Sequence, residues 1–193
     1  MKPLVPEAIQ AQTQCYLALL DRWNERHALT ALAAHERYEE LILDSWALLP
    51  HLQPLAPGST VVDFGTGMGI PAIPLALARP DLRIIALDKS RKKIAFVRQA
   101  VLELGLENLE LQVARAEELP SLQANAGVAK AVGSLDLLTG WWARHGRREG
   151  TLWLLKGDGE ESLPPAWRQT VHSYSLPTRG TRAVLQIQQE PGS

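Results

Sequence analysis

The chain has 193 residues, 46% of them hydrophobic and 21% charged, with a formal net charge of −1 at pH 7, which excludes intrinsic disorder and leaves room for one core but not two full domains. One cysteine, Cys15, and five histidines without HxxxH or CxxC spacing exclude a disulfide scaffold and give no reason to expect a metal. No apolar run approaches the roughly 20 residues of a bilayer span, and residues 1–7 lack an apolar signal core, so a cytoplasmic monomer with no membrane partner is expected.

The first fifty residues are helical in pattern. Tyr16, Leu19, Leu20 and Trp23 fall at i, i+3, i+4 and i+7, and Tyr38, Leu41, Ile42, Ser45 and Leu49 repeat the spacing, which predicts two amphipathic helices. Pro50, Pro54, Pro57 and Gly58 then make 50–59 a linker. Residues 1–58 accordingly read as an N-terminal helical extension and 59–193 as the main fold. Beyond the linker, strands are predicted at 61–64, 83–87, 109–113, 127–132 and 151–155. Helices are predicted at 70–78, with Pro71 in the first turn, at 91–104 between an N-cap at Ser90 and a stop at Gly105, and at 135–144. Such alternation is the mark of an α/β fold, a mostly parallel sheet with helices on both faces and a ligand crevice at the carboxyl ends of its strands. Strand-like runs at 171–174 and 182–188, joined by Leu176-Pro177-Thr178-Arg179-Gly180, predict a terminal hairpin with an antiparallel strand.

The most informative segment is Val61-Val62-Asp63-Phe64-Gly65-Thr66-Gly67-Met68-Gly69-Ile70-Pro71, a strand that runs through a glycine loop into a helix. A plain tight turn is one reading; close approach of backbone to a ligand is the other. Asp88 closes the second strand 19 residues after Gly69, where a carboxylate can accept from a ribose diol. Taken alone, Asp88 is equally a surface acid at a strand end. Pro71 removes an amide that a diphosphate would want, and Asp63 would repel that diphosphate while suiting an ammonium. S-adenosylmethionine has adenosine, a ribose diol and an ammonium but no phosphate, and it suits Asp63, Gly65, Gly67, Gly69 and Asp88 better than a nicotinamide or flavin dinucleotide does. Ala116-Glu117, just after the third strand, stands where the sheet edge could meet the adenine, or Glu117 is simply a solvated acid.

Positive charge is concentrated. Between Arg79 and Arg98 seven basic residues face Asp81 and Asp88, a local charge of +5, and Arg144-His145-Gly146-Arg147-Arg148 is a second cluster. Arg91, Lys92, Lys93 and Lys156 are the candidates for substrate phosphate; a solvated helix face is the competing reading. Trp23 and Trp46 have core spacing, whereas Trp141 and Trp142 cannot both face one side of a helix, which leaves one free to stack on a base.

Several of these residues form a recognisable set: Trp23-Asn24, Leu29-Thr30, Ile42-Leu43-Asp44-Ser45, Asp63-x-Gly65-Thr66-Gly67-x-Gly69-x-Pro71, Arg79-Pro80, Arg91-Lys92-Lys93 and Leu155-Lys156-Gly157. Over about residues 17–187 the chain resembles the small-subunit ribosomal RNA methyltransferase G family, also called glucose-inhibited division protein B. That resemblance implies a class I S-adenosylmethionine-dependent methyltransferase fold, Rossmann-like, with an antiparallel C-terminal strand and N-terminal helices in front. It also implies methyl transfer to N7 of a guanine in small-subunit (16S) ribosomal RNA, with the RNA or the 30S particle as partner.

Carried over by motif, the cofactor contacts fall on Gly65, Ile70, Asp88, Ala116 and Glu117, and on Lys130, where Ala129-Lys130-Ala131 replaces a serine-arginine-alanine. Arg182 is retained from a substrate-side motif, followed here by Ala183; Glu40 and Leu41 stand where the family often has a basic residue and a histidine, and Ala28-Leu29-Thr30 replaces Asn-Leu-Thr. Guanine N7 has a free lone pair and no proton, so no general base is expected, and the chain supplies no Ser-His-Asp or paired-carboxylate set. A methyltransferase on a non-RNA substrate and a weakly active cofactor- or ribosome-binding homologue are the alternatives.

Overall fold

Alternation along the strands decides the architecture. In the computed structural model, which describes residues 7–156 and 163–190, the β-strands sort their side chains onto two faces with period two. The signal-core reading of residues 1–6 and Gly157 of the Leu155-Lys156-Gly157 motif lie outside the described residues. In β1 (Thr60–Phe64) Val61 faces one core layer while Val62 and Phe64 face the other; in β2 (Arg83–Asp88) Ile84 and Ala86 oppose Ile85 and Leu87. With β3 (Leu109–Val113), β4 (Ala124–Lys130), β5 (Gly146–Lys156), β6 (Trp167–Leu176) and β7 (Gly180–Gln189) they form one seven-stranded sheet in the order β3-β2-β1-β4-β5-β7-β6. Strands β1 to β5 are parallel to their neighbours, and β7 enters antiparallel between β5 and β6. Strand order reverses between β1 and β4, which opens a crevice at their carboxyl ends.

One face carries α1 (Glu7–His27), α5 (Ala72–Ala78) and α6 (Arg91–Leu104); the other carries α7 (Leu135–His145) and a 3-10 turn (Ala116–Glu118). Tyr16, Leu19, Leu41 and Trp46 share a core with Val61, Ile84 and Phe96, so the N-terminal helices pack directly onto the sheet. The caps of α6 stand as expected: the Ser90 side chain accepts from the Lys93 amide, and Gly105 takes the left-handed conformation.

Several boundaries differ from the expectation. The second N-terminal helix is a chain of short pieces, α2 (Ala34–Arg37), a π-helical stretch (Tyr38–Leu43), α3 (Asp44–Trp46) and α4 (Leu49–Leu52). Pro50 sits in the first turn of α4, where its missing amide is no loss, so the linker starts only after Leu52. The helix expected from residue 70 begins at Ala72 with Pro71 as its N-cap, because Gly69 and Ile70 donate their amides back to the Thr66 carbonyl in a turn. Strand β4 ends at Lys130 rather than 132, since Ala131 and Gly133 both take positive φ, and β5 starts five residues early by pairing Gly146 with Ala124.

Candidate cofactor and substrate crevice

Asp63 is the next-to-last residue of β1, on the face shared with Val61 and beneath the start of α5. Its side chain is fully buried (0% exposed), and Oδ2 accepts the Ala72 amide at 3.1 Å. Oδ1 and the neighbouring Thr66 Oγ1 complete no hydrogen bond with the described residues. Burial raises the Asp63 pKa from 3.8 to about 7; the nearby Thr66 hydroxyl and the Ala72 amide pull it down, and Asp88 adds to the rise. A buried carboxyl with an orphaned oxygen calls for a cationic or hydrogen-bond-donating partner.

The loop after β1 is tied to β2 by the Gly65 and Thr66 amides, which donate to the Leu87 carbonyl at 2.8 and 3.0 Å. Gly65 has φ +71°, and a Cβ there would strike Val132 at 2.6 Å. Gly67, with φ +59°, has open space where its Cβ would be, apart from the Gly65 carbonyl at 3.9 Å and the Lys93 ammonium at 4.0 Å. A ligand can therefore approach the Gly67 backbone closely. Asp88 closes β2 beside this loop, with Oδ2 accepting from Gly67 N at 3.0 Å and Oδ1 from Ser90 N at 2.8 Å. Each oxygen keeps one lone pair for a further donor, enough for a vicinal diol.

Beyond the parallel pair Asp88 and Val113, the 3-10 turn brings Ala116 and Glu117 to the same end of the sheet. Glu117 is exposed, and its Oε1 accepts from Trp141 Nε1 at 2.7 Å. Its own amide, then the Trp141 indole, hold the carboxyl below the usual carboxylate range. Ile70 is buried beside the loop.

Other expected residues are already engaged by protein groups. The Lys130 ammonium is engaged by the Asp44 carboxylate and the Glu40 carbonyl. Asp44 is 1% exposed and also accepts from the Tyr174 hydroxyl at 2.6 Å, while burial and that carboxylate push the Tyr174 phenol up. Arg182 bonds Glu40 at 2.7 Å, and Arg179 pairs with Glu40 at 2.9 Å and with Glu36. Hence Arg182 lies in an ion network rather than as an isolated cation, and Glu40 is the acid that neutralises it. Arg79 is committed to Asp81 and to the Leu52 and Leu55 carbonyls, and Arg83 to Glu110. Lys89, Arg91, Lys92, Lys93 and Arg98 stay exposed, while Lys156 ends β5 opposite Ala183.

Three contacts went unread in the sequence. Thr66 is buried against Asp63; the Tyr16 hydroxyl donates to the Met68 carbonyl at 3.0 Å and so braces the glycine loop from α1; and Trp141 reaches Glu117. A tyrosine at a core position was the available signal, because a buried phenol needs a partner.

A sequence model of the family described as rRNA small subunit methyltransferase G matches residues 9–172. A protein of Nitrosospira multiformis named ribosomal RNA small subunit methyltransferase G is 39% identical over 155 residues, which cover 76% of this chain and 68% of that one. Its namesake in Chromobacterium violaceum is 49% identical over 105 residues, 54% of this chain and 49% of the relative. Among solved structures, an S-adenosylmethionine-dependent methyltransferase from Aquifex aeolicus superposes with a TM-score of 0.59 at 18% identity, covering 79% of this chain and 92% of the other. A precorrin-6y C5,15-methyltransferase from Geobacter metallireducens gives 0.57 at 15% identity, covering 76% and 87%. These two likenesses speak to the fold.

Proposed function

The chain belongs to the small-subunit ribosomal RNA methyltransferase G family, and we propose that it transfers a methyl group from S-adenosylmethionine to N7 of a guanine in small-subunit (16S) ribosomal RNA. The observation that carries the cofactor half is the orphaned Oδ1 of fully buried Asp63 beside a glycine loop whose next acid, Asp88, has acceptor capacity to spare. Asp63 would take the cofactor's ammonium, Gly65, Gly67, Gly69 and Ile70 the chain beside it, Asp88 the ribose diol, and Ala116 with Glu117 the adenine edge. When bound, S-adenosylmethionine supplies an electrophilic methyl on a sulfonium. The protein's part is then to hold acceptor and methyl in line and to exclude water, an orientation effect that needs no proton carrier when the acceptor is a bare lone pair.

For the RNA half, the support is the exposed cationic start of α6, at the rim of the same crevice, together with the names of the relatives. Arg91, Lys92 and Lys93 would meet phosphate there, with Lys156 at the end of β5 on the other side. The reading is of a monomeric cytoplasmic enzyme acting on the RNA or the 30S particle. Incubation with labelled S-adenosylmethionine and 16S RNA or 30S subunits from a strain lacking the native enzyme, followed by mass spectrometry of nucleosides, should yield 7-methylguanosine. Label in another nucleoside would refute the acceptor atom, and label in neither substrate would refute the RNA.

A further inference from the structure

The C-terminal half of α7 turns one face toward the 3-10 turn after β3. Trp141, Arg144 and His145 are spaced i, i+3, i+4 and so share that face. Trp141 Nε1 donates to Glu117 Oε1 at 2.7 Å, Arg144 Nε donates to the Leu119 carbonyl at 2.9 Å, and His145 Nε2 lies 2.8 Å from the Ala116 carbonyl. The turn is thus held at its first residue, just past its last, and by the side chain between. Filling the core is not the main duty of the indole at position 141, which packs only against the core's edge. That duty falls to Trp142, 3% exposed, in a slot made by Gly127, Gly146 and Gly150, where any Cβ would lie within 2.8 Å of its ring. Trp141 is only partly buried, and its ring stands 5.8 Å from Phe64, the residue immediately before Gly65. The indole therefore bridges the end of β1 and Glu117, along the wall between glycine loop and turn.

An exposed glutamate normally samples many rotamers, and ordering it is entropically unfavourable. Here Oε1 is fixed by an indole that can only donate, while the residue's own amide also holds the carboxylate, and its remaining lone pairs leave room for a further donor. We propose that Trp141 is a positioning residue for the cofactor: its N–H locks the Glu117 carboxylate so that a remaining lone pair accepts from the amino or hydroxyl donors of the adenosine half. The proposal rests on the cofactor site described above. It assigns Trp141 to cofactor affinity and not to the methyl-transfer step or to base stacking.

Calorimetry with S-adenosylmethionine and S-adenosylhomocysteine on a double-mutant cycle tests it. Trp141→Phe keeps a ring and removes the donor; it should weaken both ligands about five- to tenfold, less than the full loss of a hydrogen bond to a charged group because the Glu117 carboxylate stays and only its ordering goes, and leave the single-turnover rate at saturating cofactor within about twofold. In a Glu117→Ala background the same change should add little, because the group it positions is gone. Glu117 is exposed, so its variant folds and the cycle can be read even where Trp141→Phe lowers the melting temperature. Additive losses, unchanged affinity in Trp141→Phe, or a fallen rate at saturation with unchanged affinity would each overturn the proposal. Failure of the parent chain to bind either ligand, or parent-like binding by Glu117→Ala, would overturn it by removing the cofactor site or Glu117's place in it.

Discussion

Asp63 carries a conflict that a single side chain can reveal. Its carboxyl is raised to about 7 by burial against 3.8 in the unfolded chain, so between about pH 4 and 7 the unfolded state has lost a proton that the folded state keeps. Stability without ligand must then fall as pH rises through that window and level off above it, by about 4 kcal/mol in all from this group. Asp63→Asn is neutral at every pH, so its stability relative to the parent should climb from pH 4 to 7; denaturant titrations that give a constant difference would reject the raised pKa. Cofactor binding should run the other way. An ammonium prefers the ionised acid, and affinity for S-adenosylmethionine should therefore rise with pH up to about 7 and level off above it, while the transfer rate at saturation stays flat from about pH 6.5 to 8.5 because N7 holds no proton. A rate at saturation that rises with pH in step with affinity would point to an acceptor needing deprotonation. The residue types here were legible: a strand-end acid, a glycine loop and Asp88 stand in one line of sequence. The orphaned oxygen was not, since it depends on how α5 closes over the strand.

At the level of elements, the interplay of the π-helical stretch with the C-terminal hairpin shows what sequence pattern misses. Helical spacing found Tyr38, Leu41 and Ile42 but could not show that Glu36, Glu39, Glu40 and Asp44 all reach residues of the hairpin or of β4. Those partners are 86 to 143 positions away in the chain, and only the insertion of β7 between β5 and β6 brings them near. Capped, periodic elements such as α6 were legible because their signals are local, whereas Lys130, expected as a cofactor contact, shares a largely buried ion pair with Asp44. Removing one partner of such a pair strands the other charge. Lys130→Met should destabilise the fold by about 3 kcal/mol, with the Tyr174 and Arg182 neighbours of Asp44 limiting the loss. Lys130→Met combined with Asp44→Asn should recover part of that loss. Urea unfolding checks both, and a destabilisation under about 0.5 kcal/mol for Lys130→Met would show the pair to be solvated.

Across the whole molecule the charges sort by partner. The local excess of +5 in a chain of −1 concentrates positive charge between residues 79 and 98, yet Arg79 and Arg83 are held by Asp81 and Glu110. Among the described residues no ion pair draws on Lys89, Arg91, Lys92, Lys93 or Arg98, which are exposed along and just before α6. Three of these cations occupy the first turn of that helix, where the macrodipole is positive and each stands to lose a few tenths of a kcal/mol. A solvated face chosen for stability would place acids there. Replacing Arg91 and Lys92 together by glutamine should therefore make the protein slightly more stable while weakening its hold on RNA. If both contact phosphate, the slope of log binding constant against log salt should become shallower by about 1.5, the counterions no longer released by two charges. The paired Arg79→Gln should leave that slope unchanged and lower stability instead, because it abandons Asp81 and two carbonyls. Fluorescence anisotropy with labelled 16S fragments across salt, alongside thermal melts, separates the two roles. An unchanged slope in the double variant would return the start of α6 to a plain solvated helix end.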